Sequence, residues 1–280
     1  MQRIFVGDVQ GCADELEEIL ARARRELGND FELWSVGDLV NRGPKSHRAL
    51  ALVREGIEAG RGELVLGNHE LALLGRWLGV RAPGPTDTME DLLERPDLDE
   101  WCEWLRRRPL ARAGELGKRR FAMVHASVAP RWTLDETLAA ARAAEATLTT
   151  PDRKALGAAL RNRDDRLGRL VSGRSALAGG GWSPEPPEAL TDAEPWHVAW
   201  SREGHDYGVV YGHWALQGLQ VAPRLRGLDT GCVHHGRDRD GFLTAWLPDP
   251  RARDPFALPD ANFWQVRAHR AYYRRTDEKR

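Results

Sequence analysis

Residues 7–11 read Gly-Asp-Val-Gln-Gly and directly follow an apolar run, Ile4-Phe5-Val6. A short apolar run closed by glycine predicts a buried strand, here one that ends on a polar side chain, Asp8. One residue of spacer then sets Gln10 beside it. The same ending recurs along the chain. Residues 31–36 form a second predicted strand that stops at Gly37-Asp38, and residues 63–66 a third that stops at Gly67-Asn68, so the polar residues fall at 8, 38 and 68. Between them, residues 13–27 carry Leu16, Ile19, Leu20 and Ala23 at helical spacing, and residues 46–59 and 71–78 also read as helices. Pro44 lies just ahead of the second helix and Gly60 just after it. Alternating strands and helices imply parallel strands joined by helical crossovers. In such sheets the residues beyond the strand ends converge on one crevice. Asp8, Gln10, Asp38, Asn68 and the adjoining His69 are therefore expected in one place.

Further along, residues 88–108 have a helical pattern, residues 119–124 read as a strand ending at His125, and residues 134–148 as a helix. Residues 208–211 form a strand ending at Gly212-His213. Residues 225–228 and 242–247 are further strands, expected in an antiparallel or mixed second sheet. Between about 150 and 207 the chain contains RNRDDR, GGG and SPEPPE and reads as a loop-rich insert or cap. The expected organisation is one domain over residues 1–248, with 249–280 as an extension that Trp264 and Tyr272-Tyr273 fasten to the body.

Bulk composition narrows the class. Lys plus Arg number 41 against 42 Asp plus Glu, a net charge of −1, which disfavours a general DNA coat or a membrane-surface protein. No apolar stretch approaches the roughly 18 residues of a membrane span. The N-terminus enters a strand at once, leaving no room for a signal peptide. Three scattered cysteines, Cys12, Cys102 and Cys232, make neither a disulfide framework nor a zinc knuckle. A cytoplasmic location is expected. Cys12 and Cys232 are read as packing residues, and His234-His235 as a polar turn.

Five strands that each end in Asp, Asn or His point to a metal centre. Carboxylates, imidazoles and an amide oxygen suit Mn²⁺, Fe²⁺, Co²⁺ or Mg²⁺. A pair of such ions about 3.5–4 Å apart can activate water and neutralise a phosphoryl group, without which an anionic nucleophile would be repelled.

The motifs GDVQG, GDLVNRG and LGNHE, with His125 in MVHAS and His213 in YGHW, resemble the calcineurin-like metallophosphoesterases, in particular their phosphoprotein-phosphatase branch. Within that branch, LWSVGDLVNRGPKS, VLGNHELALL, VHASVAPRW and VVYGHWALQG…GLDTGC are similar to the bacterial symmetrical diadenosine tetraphosphatases, over residues 1 to about 140 and 208–247. The resemblance implies an α/β fold, a β-sandwich of two mixed sheets flanked by helices, with a dinuclear metal site at the C-terminal edge of the strands. It implies that Asp8 and Gln10 face the first metal, that Asp38 bridges both, and that Asn68, His125 and His213 hold the second. Two divalent ions, Mn²⁺ first among them, would be the cofactor. Arg42 would grip a phosphate oxygen and His69 would protonate the leaving oxygen. The implied activity is cleavage of diadenosine tetraphosphate into two ADP. The alternatives are a serine/threonine-type phosphoprotein phosphatase, a hydrolase of other nucleotides or of capped RNA, and a metal-weakened binding module.

Two positions depart from the wider superfamily. Gln10 stands where His is usual; an amide oxygen is the harder and weaker ligand, so a looser first site leaning to Mn²⁺ or Mg²⁺ over zinc is expected. Asn41 stands where protein phosphatases carry an Asp that orients the catalytic His, and could still accept a hydrogen bond from it. For the substrate, Lys45, Arg76, Arg166, Arg169 and Arg174 could meet phosphates, and Trp182, Trp196 and Trp214 could stack adenine.

Overall fold

The protein is described from a computed structural model over residues 1–237, 239–257 and 262–272. Its strands are Gln2–Val6 (β1), Phe31–Ser35 (β2), Gly62–Leu64 (β3), Ala111–Leu116 (β4), Arg119–Val124 (β5), Ser175–Leu177 (β6), Trp182–Ser183 (β7), Ala193–Pro195 (β8), Gly208–Tyr211 (β9), Gln220–Ala222 (β10), Leu225–Gly227 (β11), Phe242–Trp246 (β12) and Phe263–Arg267 (β13). One sheet has the order β13-β12-β1-β2-β3, a second β10-β11-β9-β5-β4, and a small third β7-β6-β8. β1, β2 and β3 are parallel, as the intervening helices Ala13–Leu27 and Ser46–Glu58 require. β5, β9 and β11 are parallel too, so both large sheets are mixed.

The near-continuous apolar runs are explained by burial on both faces. Phe5, Trp34, Val65, Phe121, Met123 and Val210 point between the two large sheets, where Trp246 and Phe256 join them. Their sequence neighbours Ile4, Val6, Leu33, Leu64, Leu66, Ala122 and Val209 point outward under the helices. Phe5 meets Phe121 edge-on at 5.4 Å and stacks on Trp246 at 5.3 Å. The fully buried Arg226 lies over Trp246 at 4.9 Å, its guanidinium donating to the carbonyls of Ala222, Leu225 and Pro255.

Several local expectations are corrected. β12 belongs to the first sheet, antiparallel to β1, because Trp246 is needed opposite Phe5 in the aromatic layer. The helical stretch 88–108 is two helices, Glu90–Leu93 and Leu98–Leu105, interrupted at Arg95-Pro96. Residues 150–207 hold more structure than their composition suggests. Helices Arg153–Arg161 and Asp165–Ser172 are capped by the Asp152 and Asp164 carboxylates and bury Leu156, Leu160, Leu167, Leu170 and Val171. Their charges are the outer faces of short amphipathic helices. The tail contributes β13, paired along β12. Trp264 lies beneath the Arg22 guanidinium at 4.3 Å, and the Tyr272 hydroxyl donates to Glu15 at 2.5 Å; Tyr273 lies outside the described residues. Among the described residues no helix is long and apolar enough to cross a membrane.

Candidate active site

Six strands of the two large sheets deliver polar side chains to one edge. Asp8 follows β1, Asp38 β2, Asn68 β3, His125 β5, His213 β9 and Asp229 β11. Glycine precedes several of these residues because the carboxylates need its empty side. A Cβ on Gly67 would stand 2.2 Å from Asp38 Oδ1, and one on Gly212 2.0 Å from Asp8 Oδ1. The backbone itself is strained: Gln10, Asp38, Asn41, Arg42 and His213 all adopt left-handed φ values between 46° and 76°. Such conformations persist where surrounding bonds over-determine them, and they gather at functional sites.

Asp38 is the centre. Its Oδ1 accepts the His69 backbone N–H at 2.9 Å and lies 3.4 Å from His125 Nε2; its Oδ2 lies 3.7 Å from His69 Nε2 and 3.4 Å from the Gln10 amide nitrogen. The Asp38 loop hangs on Glu70, whose Oε2 accepts the N–H groups of Asp38 and Gly67 at 2.8 Å and whose Oε1 accepts that of Leu39 at 2.7 Å. His125 Nδ1 bonds the Val36 carbonyl at 2.8 Å. That contact fixes the tautomer and leaves Nε2 directed at Asp38 and, at 3.2 Å, Asn68 Oδ1. Asp8 accepts the His213 N–H at 3.0 Å.

The electrostatics call for a cation. Burial and the nearby charges of Asp229 and Asp38 push the Asp8 carboxyl well up. Burial, with Asp38 adding to it, pushes Asp229 up to about 6. Burial holds His213 well below the usual imidazole range and brings His69 down to about 4. Of the three carboxyls only Asp38 moves down, because His125 and His69 outweigh its burial; in return, against its own burial, the charge of Asp38 raises His125. Ligand atoms of Asp38, His125 and His213 lie within 4.8 Å of one another, and His213 Nε2 is buried without a hydrogen-bond partner. Clustered carboxylates beside the imidazoles of His125, His213 and His69, with His213 Nε2 and His69 Nδ1 left unsatisfied, fit divalent metal ions.

This edge opens into a cavity of about 510 Å³. Gln10, Asp38, Asn68, His69, His213 and Asp229 form its floor, and Arg42, Arg174, His234, Arg237, Arg239 and Trp214 its walls. Of the residues expected to meet substrate, Arg174 and Trp214 are there. Lys45 is instead paired with Asp14 at 2.6 Å. Arg169 lies over the Trp132 ring and donates to the Gly180 carbonyl, while Trp182 donates to Asp165 at 2.6 Å, so both hold the 150–207 region together. Trp196 is core, edge-on to Tyr211 at 4.9 Å. Arg166 borders a separate depression beside Trp132, and Arg76 approaches Asp87 at 3.8 Å. Asn41 does not serve His69. Its Oδ1 accepts the N–H groups of Arg42 and Thr88, and its Nδ2 donates to Asp87 at 2.8 Å. That clamp fixes Arg42.

Sequence reasoning passed over Asp229 and Glu70. Asp229 obeys the same strand-end rule but follows Leu228, so the Gly-Asp signal is missing. Glu70 sits one residue past His69, where it reads as an ordinary first-turn helix acid.

The sequence profile described as calcineurin-like phosphoesterase matches residues 1–238. A symmetrical bis(5'-nucleosyl)-tetraphosphatase of Janthinobacterium sp. (strain Marseille) is 37% identical over 256 residues, 85% of this chain and 91% of its own. Another of Bordetella pertussis (strain Tohama I) is 39% identical, covering 82% and 88%. A crystal structure of a candidate diadenosine tetraphosphatase superposes with a TM-score of 0.62 at 23% identity, covering 95% of this chain and 93% of that one. A serine/threonine phosphatase of Saccharomyces cerevisiae shares the fold at a TM-score of 0.54, 15% identity, and coverage of 96% and 79%.

Proposed function

Because this chain belongs to the calcineurin-like phosphoesterases, we propose that it is a metal-dependent hydrolase that cleaves diadenosine tetraphosphate symmetrically into two ADP. The observation that carries this is relatedness of 37–39% over more than four-fifths of the chain to proteins named for that reaction. The cavity is consistent with it, since arginines wall a floor of metal-type ligands.

Asp8, Asp38, Asn68, His125 and His213 would hold two divalent ions, with Gln10 and Asp229 beside Asp8. Mn²⁺ is the preferred ion, with Co²⁺, Fe²⁺ and Mg²⁺ as competitors. The ions, when bound, activate a water and offset phosphate charge. This chain's own groups do the rest. Glu70 and the glycines set the carboxylates. Arg42, fixed by Asn41, and Arg174 grip phosphoryl oxygens, holding the phosphorus in line and stabilising charge that spreads over them. His69 reaches the reaction neutral, given its pKa near 4. Its N–H serves the leaving oxygen as a hydrogen-bond donor. A phosphate leaving group, unlike an alkoxide, tolerates departure without a full proton.

Incubation with diadenosine tetraphosphate and Mn²⁺, Co²⁺ or Mg²⁺ in turn, with products separated by chromatography, tests this. ADP as sole product is expected. AMP plus ATP, or turnover of p-nitrophenyl phosphate with none of the dinucleotide, overturns it.

A further inference from the structure

Cys12 and Cys232 stand 220 residues apart in sequence, yet their sulfurs and a carboxylate oxygen of Glu15 all lie within 4.8 Å of one another. Cys12 directly follows residues 7–11 and immediately precedes helix Ala13–Leu27, to which its thiol makes no capping bond. Glu15 lies three residues further on, so the two side chains share one face of the helix start. Cys232 opens the short turn Cys232–His234 behind Asp229, whose Oδ1 accepts the Gly231 N–H at 3.0 Å. All three residues are at most 1% exposed, and neither sulfur is in a disulfide.

Apolar packing accounts for the cysteines but not for Glu15. A fully buried carboxylate is costly unless both of its oxygens are satisfied. Oε1 is satisfied: it accepts the His269 N–H at 2.8 Å and the Tyr272 hydroxyl, and so fastens the C-terminal segment to the helix. Oε2 is buried with no hydrogen-bond partner. Anchoring the tail uses one oxygen; the other is left for a ligand. We propose that Cys12, Glu15 and Cys232 form a metal site of their own, separate from the phosphoryl-cleaving centre and selective for Zn²⁺-like ions. Two thiolates and a carboxylate suit Zn²⁺ in four-coordinate geometry, with water in the remaining position, and disfavour Mg²⁺ and Mn²⁺, which take oxygen ligands. The ion binds as each thiol releases its proton to solvent. Tyr272 and the His269 backbone orient the carboxylate from outside. A bound ion joins the turn carrying Gln10, the strand end carrying Asp229 and the C-terminal segment. It is a strut behind the hydrolase centre and takes no part in the reaction.

Sulfur distinguishes the two centres, because the hydrolase residues offer none. Reduced full-length protein, with its three thiols counted first, is titrated with Co²⁺ and followed in the near ultraviolet. A thiolate-to-cobalt charge-transfer band is expected; Zn²⁺ should erase it by displacement and Mg²⁺ should not. The band should be lost in Cys12→Ser and in Cys232→Ser, and kept in Cys102→Ser and Asp38→Asn. Tyr272→Phe removes only a hydroxyl from a half-buried residue and spares the core. It should weaken Zn²⁺, measured by displacement of Co²⁺, about tenfold or more, the scale for losing a group that orients a metal ligand. Three titratable thiols with no such band overturn the site, as does a band that survives Cys12→Ser or a Tyr272→Phe variant that binds Zn²⁺ as tightly as the parent. None of these readouts is turnover, so the site stands or falls whether or not the chain cleaves diadenosine tetraphosphate.

Discussion

The Asp38 carboxylate accepts the His69 backbone N–H at 2.9 Å while standing 3.4 Å from His125 Nε2, so one side chain ties the third strand's helix to the fifth strand's ligand. Asparagine at this position keeps an oxygen for the His69 N–H and loses the charge. Asp38→Asn should therefore fold normally and lose kcat by at least on the order of 10²-fold, the scale of removing one strong electrostatic contact from an active site. ADP release with Mn²⁺ measures it, with circular dichroism as the folding control. Turnover near that of the parent would remove Asp38 from the centre of the site.

Glu70 accepts three buried backbone N–H groups, those of Gly67, Asp38 and Leu39. Each left unsatisfied costs about 1–3 kcal/mol. Glu70→Ala should lower the unfolding free energy by at least about 3 kcal/mol on that basis. Urea denaturation of metal-free protein reads this directly. A loss below about 1 kcal/mol, the usual size for a dispensable contact, would show that water or relaxation replaces Glu70.

Asp229 gives the stability of the metal-free protein a definite pH dependence. Its carboxyl rises from the ordinary 3.8 to about 6 on folding, first through burial and then through Asp38. The folded state thus holds this proton more tightly than the unfolded state. Stability is unpenalised below the unfolded value and falls as pH rises through the folded one, by roughly 3 kcal/mol in full. Asp229→Asn should raise Tm in chelator at pH 8 and change it little at pH 4. With excess Mn²⁺ at pH 8 the order should reverse, because the charge then has a partner. A variant less stable than the parent in chelator at pH 8 would contradict the assignment.

The parallel strands and their convergence were legible because each obeys a local rule: an apolar run that stops at a polar residue, with a glycine between them in every case but His125, which follows Val124 directly. Asp8, Asp38, Asn68, His125 and His213 lie on one edge for that reason. What local rules could not reach was pairing decided by distant packing. β12 reads as a strand, but that it lies against β1 depends on Trp246 meeting Phe5, 241 residues apart in sequence. β13 has a weak pattern of its own and is made by its partner β12. Helices of eight or nine residues in 153–172 give too few turns for periodicity to outweigh their charges. Lys45 and Arg169 show the converse limit: a cation near a motif finds a carboxylate or carbonyl of its own chain before it finds substrate.

Asn41 and Arg42 both hold left-handed backbone, at φ 76° and 67°, and the bonds from Asp87 and Thr88 to Asn41 keep them there. Asp87 also accepts the Gly84 N–H at 2.8 Å, so it joins the 84–88 segment to the arginine loop. Two residues in this conformation store about 1–3 kcal/mol each, which relaxation would release by moving Arg42. Asp87→Ala should therefore act through Arg42: kcat/KM for diadenosine tetraphosphate should fall about tenfold, the loss of one charge-assisted contact. The decisive measurement is the cycle with Arg42→Ala. If Asp87 works by placing Arg42, the double variant should be no worse than Arg42→Ala alone, within about 0.5 kcal/mol of activation free energy. Asp87→Asn, which retains an acceptor for Asn41, should recover part of the loss. Losses that simply add would mean that Asp87 supports the site by another route and that Asn41 alone is enough to hold the arginine.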